Sequence, residues 1–535
     1  MSLNFMMAPG AYEQKGQEAK MSNFFGAYTL SDMVKTTLGP KGMDKILQPM
    51  GAGPKNQRVI VTNDGATILS HVQVDNPAAR VLIDISRTQD EEVGDGTTSV
   101  CVFAGELLRE GERLLRQKIH PQIVIQGWRM ARERALKVLR ANSFDNSEDE
   151  KQFHEDLMNI ARTTISSKLL TYEKEHFAKL AVDAVLRLKG SGNLELIQII
   201  KRIGASLKES YLSEGFILEK KISVGCPRSF ENPKVMVANT PMDYDKIKIF
   251  GTRVKTDSTD KVAEIEQAEK EKMKEKVEKI IAYKPDVFIN RQLVYNYPEQ
   301  LFADHGIMVI EHADFEGVER LSKALGADIL STFNDPKTAE ELLGGCAKIE
   351  EMLLGEDTVI KFSGCRLGES CSIVLRGSSS HILDEAERSL HDALCVLVKT
   401  IQNKRCILGG GNAEITMANA VDDLSQEIEG KEALAVKAYA RALRALPTTI
   451  ADNGGFDSAE MVQTLAFNLR KGNKTFGLDM GEGEVGCMDK LGIRECLRVK
   501  EQVVVSASEA AEMIIRVDNV VHNAPRPREK TGYHN

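Results

Sequence analysis

The sequence has no run of about 18 apolar residues that could span a bilayer, no GxxxxGK[ST] loop, no HExxH pair and no CxxC. The first absence argues against a membrane protein. The last two argue against zinc chemistry, and the missing Walker loop removes the commonest nucleotide signature. Residues 1–20 lack the basic start and apolar stretch of a signal peptide. Nine cysteines, at 101, 226, 346, 365, 371, 395, 406, 487 and 496, form no metal-like grouping, which suits a reducing cytosol. The ten histidines are scattered singly. Lys and Arg number 70 against 78 Asp and Glu, a net charge of −8, so no basic surplus calls for nucleic acid. Aromatics are only 5%, too few for an all-β protein, and 535 residues at about 150 per domain allow three or four helix-rich domains.

What is present is an acidic glycine loop, Glu91-Glu92-Val93-Gly94-Asp95-Gly96-Thr97-Thr98-Ser99, running into a helix. Val100, Phe103, Leu107, Leu108, Leu114 and Leu115 recur at helical spacing behind it. Two glycines let a backbone approach an anion, Asp95 offers a carboxylate to magnesium, and the hydroxyls offer donors at a helix N-terminus. Taken alone, a plain connector with Thr97 or Ser99 as N-cap explains the loop more simply.

Along the chain, residues 24–38 read as a helix stopped by Gly39-Pro40. Residues 59–62 read as a short strand before Asn63-Asp64-Gly65, where a tight turn with positive φ is expected. Asn76-Pro77 restarts a helix over 78–92. A polar stretch at 141–150 marks a boundary. Strand-like runs, Val235-Met236-Val237-Ala238 and Val287-Phe288-Ile289-Asn290, alternate with helices between 216 and 366. Within that block, residues 261–281 interleave Glu and Lys at i, i+4 spacing over a thin apolar stripe of Val262, Ile265, Met273, Val277 and Ile280. A packed helix with a solvated face and a protruding element fit that pattern about equally. In the helix at 382–399, Asp392 falls off the apolar stripe, and its local default is a surface ion pair with Arg388. Ile407-Leu408-Gly409-Gly410-Gly411-Asn412 forms a second glycine cluster ahead of a helix, and the tail from 522 reads as disordered.

Taken together, Leu38-Gly39-Pro40-Lys41-Gly42, Asn63-Asp64-Gly65-Ala66-Thr67, Gly94-Asp95-Gly96-Thr97-Thr98 and Gly409-Gly410-Gly411 resemble, in order and separation, the group II chaperonins. The resemblance covers nearly the whole chain. Residues 245–251, Asn290-Arg291-Gln292-Leu293 and Asn296-Tyr297-Pro298-Glu299-Gln300 resemble one subunit type of its eukaryotic cytosolic branch, CCT or TRiC.

The resemblance implies a multidomain GroEL-like fold with mostly α equatorial and intermediate domains and an α/β apical domain bearing a helical protrusion. The equatorial ATP-binding domain would take 1–142 and 405–535, the intermediate hinge domain 143–215 and 367–404, and the apical client-binding domain 216–366, with the protrusion near 245–281. It implies ATP or ADP with Mg²⁺ as ligands, with Asp95 on the metal and Gly96, Thr97, Thr98 and Ser99 around the phosphates. Gly39 would line the pocket and Gly411 lie near the ribose. Asp64 and Asp392 would activate the attacking water, Lys168 would sense the γ-phosphate, and Glu495 and Lys500 would sit by the nucleoside. Arg162 stands where glycine is the expected residue. Implied too are paralogous subunits in a cytoplasmic hetero-oligomeric double ring, and unfolded clients of the actin and tubulin class, with neither nucleic acid nor membrane as partner. A ring subunit with little ATP turnover and a free-standing scaffold using the charged helix are the competing readings.

Overall fold

The computed structural model describes residues 12–48, 59–188, 192–213, 215–223, 225–242, 259–311, 313, 315–333, 342–355, 357–366 and 370–522. Two compact units divide the chain: Lys179–Arg388 forms one, and the segments before and after it form the other.

The two-ended unit is a helical assembly. Helices Gly16–Lys35, Pro77–Val93, Thr97–Arg116, Pro121–Ala141, Asn412–Glu427, Glu432–Asn453 and Leu497–Ile515 surround one core. Thr97–Arg116 lies at its centre, because Val100, Cys101, Val102, Phe103 and Ala104 are buried in unbroken succession, so its first turns are enclosed on every side, while its later turns carry charges such as Arg113 and Arg116. Trp128 and Tyr439 are fully buried in the same core, with the Tyr439 hydroxyl 2.8 Å from Ser508 Oγ. Burial on this scale contributes roughly 1.5–3 kcal/mol per large side chain. Asn76 caps its helix as expected, its Oδ1 accepting from Ala78 N (2.9 Å) and Ala79 N (3.2 Å), with Pro77 at the first turn.

The other unit is α/β. Its main sheet runs Met308–Ile310, Val287–Asn290, Lys234–Ala238, Gly344–Leu354, Asp357–Cys365, Gly215–Leu218. The first three strands are parallel and the rest antiparallel. Alternation along one strand fills both faces, since Val235 and Val237 join one apolar cluster while Met236 and Ala238 join another. A smaller sheet pairs Ile197–Ile203 with Cys371–Gly377 and Tyr211–Leu212.

The charged helix spans Thr259–Ile281. Met273, Val277 and Ile280 are buried in the second cluster, and Glu275 bonds Lys279 at 3.0 Å, so this end is packed. Residues 245–251 and the tail from 523 lie outside the described residues, as do the side chains of Val262 and Ile265. In the helix Phe315–Leu325, Val318, Leu321 and Leu325 are core residues. Among the described residues no helix is long and apolar enough to cross a membrane.

Candidate functional site

The two-ended unit contains a cavity of about 620 Å³ lined by Gly39, Asp64, Asp95, Gly96, Thr97, Thr98, Ser99, Lys168, Asp392, Gly411, Glu495 and Lys500. All twelve residues singled out in the sequence therefore converge on one space. Pro40, Ile450, Met480, Ile493 and Val499 supply apolar wall.

Its floor is made of two helix N-termini. Thr97–Arg116 starts from Gly96 (φ 79°) and Asn412–Glu427 from Gly411 (φ 74°), and no side chain caps either one. The expected cap by Thr97 or Ser99 is not made. The first-turn N–H groups are left available, and both helix dipoles place partial positive charge at the cavity.

Asp64 ties the loops together. Its Oδ2 accepts from Thr67 N (2.8 Å) and Thr67 Oγ1 (2.7 Å), while Oδ1 accepts from Ala66 N (3.2 Å) and from Thr97 Oγ1 (2.9 Å) in the opposite loop. Gly65 does not take the positive φ expected of a turn. It is the first residue of a helix capped by Asp64, and glycine is needed because a Cβ there would lie 2.8 Å from Thr98 N. Gly94 has a different requirement. It ends the preceding helix at φ 76°, and a Cβ would lie 2.3 Å from Cys395 Cβ, so a glycine lets the helix carrying Asp392 approach the loop.

Asp392 is 7% exposed and its Oδ2 is paired with Lys168 Nζ. The local expectation of a surface pair with Arg388 fails, since Arg388 bonds Glu385 at 2.6 Å. Ala393 through Val398 are all buried, so the helix Ser380–Asn403 is enclosed well beyond its predicted stripe. Burial pushes the Asp64 carboxyl up, but Lys168 and the Thr67 and Thr97 hydrogen bonds outweigh it and hold the pKa below the ordinary aspartate value.

At the far end, Lys500 Nζ lies 2.5 Å from Glu414 Oε1 and 2.9 Å from Glu495 Oε2. Burial opposes the lysine's charge, yet the two carboxylates prevail and raise its pKa, while burial raises that of Glu495. Glu414, only 4% exposed, was missed in the sequence. Its position three residues after Gly411 was the available signal.

The chain from residue 30 to 525 matches the model of the TCP-1/cpn60 chaperonin family. It is 59% identical over 519 residues to T-complex protein 1 subunit beta of Homo sapiens, covering 97% of this chain and 96% of the relative. It is 56% identical over 529 residues to the subunit of that name in Arabidopsis thaliana, 99% of each chain, and 55% identical over 526 residues to that of Caenorhabditis elegans, 98% of each. The chain belongs to the TCP-1/cpn60 chaperonin family. It is an ATP-dependent chaperonin subunit with ATPase activity, and the relatives are of the type that the segments around Asn290 and Asn296 resemble.

Two features of this chaperonin's site bear on a metal. Asp95 Oδ1 accepts from Gly96 N at 2.6 Å, its backbone carbonyl accepts from Gln89, and its side chain lines the cavity. Among the described residues no three His, Cys, Asp or Glu side chains form a metal cage. The single Asp95 carboxylate at the cavity fits magnesium, which is commonly held by one or two carboxylates together with substrate phosphates. Arg162, the departure noted in the sequence, also lines the cavity, but its guanidinium donates to Asn159 Oδ1 (2.9 Å) and to the Glu175 carboxylate (2.8–3.0 Å), which offsets its charge.

Asp90 was also overlooked. Burial first, then the negative charges of Asp64, Asp95 and Glu91, push its carboxyl up to about 6. A raised carboxyl favours its protonated form in the fold, so its contribution is complete below the unfolded value near 4 and is lost as pH rises through about 6. Asp90→Asn is therefore expected to raise the thermal unfolding midpoint at pH 7.5, with the gain shrinking as pH is lowered toward 4.5. A gain independent of pH would contradict this origin.

Proposed function

We propose that this chaperonin subunit binds Mg-ATP in the 620 Å³ cavity and hydrolyses it there, as one member of a cytoplasmic hetero-oligomeric double ring. The observation that carries the site assignment is the convergence of both uncapped glycine-led helix starts, Lys168 and Asp392 on a single cavity. Phosphoryl transfer to water needs charge compensation and positioning more than covalent chemistry. The first-turn amides of Thr97, Thr98 and Ser99 would hold phosphate oxygens, Gly39 would allow close approach, and Lys168 would meet the terminal phosphate. Asp95 would hold magnesium, whose charge would offset that of the phosphates. Asp64, kept ionised against its burial by the Lys168 charge and the hydrogen bonds from Thr67 and Thr97, suits an orienting acceptor for water rather than a proton store. Asp392 would take the second position beside that water. Gly411 would lie near the ribose and Glu495 and Lys500 by the nucleoside, with Glu414 fixing Lys500.

In the three-domain reading, Asp392 belongs to the hinge domain. Its helix starts in the sequence of one unit and ends in that of the other. Hydrolysis would then depend on where that helix stands, coupling turnover to closure over an unfolded client of the actin and tubulin class. The relatives' shared name, a subunit of the T-complex protein, supports assembly with paralogous subunits. Class averages of the purified native particle are expected to show a two-tiered ring containing this chain. A monomer or dimer would overturn the assembly.

A further inference from the structure

Two pairs of free cysteines face each other across antiparallel strands, Cys406 with Cys496 and Cys346 with Cys365. One backbone hydrogen bond flanks each pair in the same sense: Leu497 N to Arg405 O at 3.3 Å, and Arg366 N to Gly345 O at 3.1 Å. That flanking bond marks a non-hydrogen-bonded position, where facing Cα atoms lie about 4.5 Å apart and side chains approach most closely. A disulfide spans Cα separations of roughly 4.4–6.8 Å, so both pairs are within reach of one.

The pairs differ in access. Cys406 and Cys496 are 2% and 1% exposed. Cys365 is half-buried between exposed Gly364 and Arg366, and Cys346 lines a cavity of about 530 Å³ shared with Lys234 and Arg366. Cys346 and Cys365 pack on the same apolar cluster, with Phe216, Ile349 and Phe362, which puts both sulfurs on one face of the sheet.

We propose that Cys346 and Cys365 are an oxidisable dithiol, a modification site that closes to an intrachain disulfide when a small disulfide of the glutathione class reaches Cys365. The Cys365 thiol loses its proton and attacks the oxidant; its S–S bond breaks and one glutathione thiolate leaves, taking up a proton. The Cys346 thiol then loses its proton, attacks Cys365 Sγ and expels the second glutathione. Two protein thiols are oxidised and one external disulfide is reduced to two thiols. Lys234 and Arg366 give the cavity cationic groups to meet the carboxylates of such a peptide. Burial pushes the Cys346 thiol up to about 12 and raises that of Cys365, so closure is slow and follows sustained oxidation rather than brief exposure.

The test is to incubate the full chain with glutathione disulfide at pH 8, quench in acid, alkylate free thiols and map the peptides. One new link joining the Cys346 and Cys365 peptides is expected, with Cys406 and Cys496 still reduced. Cys346→Ser is expected to stall as a glutathione adduct on Cys365, and Cys365→Ser to take up no glutathione at Cys346 over the same period. An unresolved adduct on Cys365 in the unaltered chain would overturn the proposal. So would a Cys406–Cys496 link forming as fast as the Cys346–Cys365 link, because that would trace oxidation to unfolded chain.

Discussion

Asp392→Asn is expected to slow ATP hydrolysis at this subunit's site by roughly 10²–10³-fold while leaving nucleotide affinity within a few-fold. The change keeps the side chain's size and removes one charge. Asp392 faces Lys168, so its loss leaves the lysine more available to phosphate and gives no reason for weaker binding. On the proposed reading, what would be lost is the carboxylate that orients water and accepts its proton in the transition state, an effect on turnover rather than on ground-state binding. The measurement is single-turnover hydrolysis in rings where only this subunit carries the change, alongside nucleotide titration. The portion of the first turnover contributed by this site should vanish. An unchanged burst would favour a ring member that binds clients and turns over little ATP.

The largest effect on stability is expected from Asp156→Ala, at about 3–5 kcal/mol. Asp156 is wholly buried in the helix Glu150–Ile165 and pairs with Arg494, itself 7% exposed, on the strand Arg494–Cys496. Asn146 donates to Asp156 Oδ2 at 2.7 Å, Asp489 holds Arg494 at 2.8 Å, and the Phe144 ring lies 5.4 Å from the guanidinium. Removing the aspartate leaves a buried guanidinium with one exposed partner. Burial already depresses the pKa of Arg494, a sign that its charge is held at a cost. Replacing both residues, Asp156→Leu with Arg494→Met, should recover most of the loss, because two apolar groups can occupy the space without an unpaired charge. Trp128 is the chain's single tryptophan and is fully buried in this unit, so its fluorescence in a urea titration reports the unfolding directly. A double variant as unstable as Asp156→Ala would show that packing, not charge, sets the cost. Because Glu495 follows Arg494, the single variant should also weaken nucleotide binding.

Where a feature is encoded by neighbouring residues, the sequence already reveals it. Asn76-Pro77 starts a helix because the cap and the fixed proline φ are one residue apart, and Val235 to Ala238 alternate because a strand does. The loop at Gly94-Asp95-Gly96 was legible as a helix start for the same reason, although its cap is glycine rather than a hydroxyl residue. Features set by tertiary approach were not legible. Gly65 is required by Thr98, 33 residues away, and not by its own φ. Asp392 looked like a surface residue because its local partner Arg388 is four positions away, whereas its actual partner, Lys168, is 224 positions away. Glu414 had only its place three residues after Gly411 to mark it, and its partner Lys500 is 86 positions away. The resemblance to a known family supplied Asp392 and Lys168, which neither periodicity nor spacing could have joined.

The division of the chain also sets the order in which its parts become available during synthesis. Lys179–Arg388 leaves the ribosome as one continuous piece. The other unit begins earlier and finishes much later, since the core around Phe103 and Trp128 needs Tyr439, Leu443, Val503 and Ile514 to close it. At about 5–20 residues per second, the interval between making Gly39 and making Lys500 is on the order of half a minute to a minute and a half. For most of that interval the nascent chain presents an apolar helical surface that its own later residues are meant to cover, so a protein that shelters others during folding has a prolonged need for shelter itself.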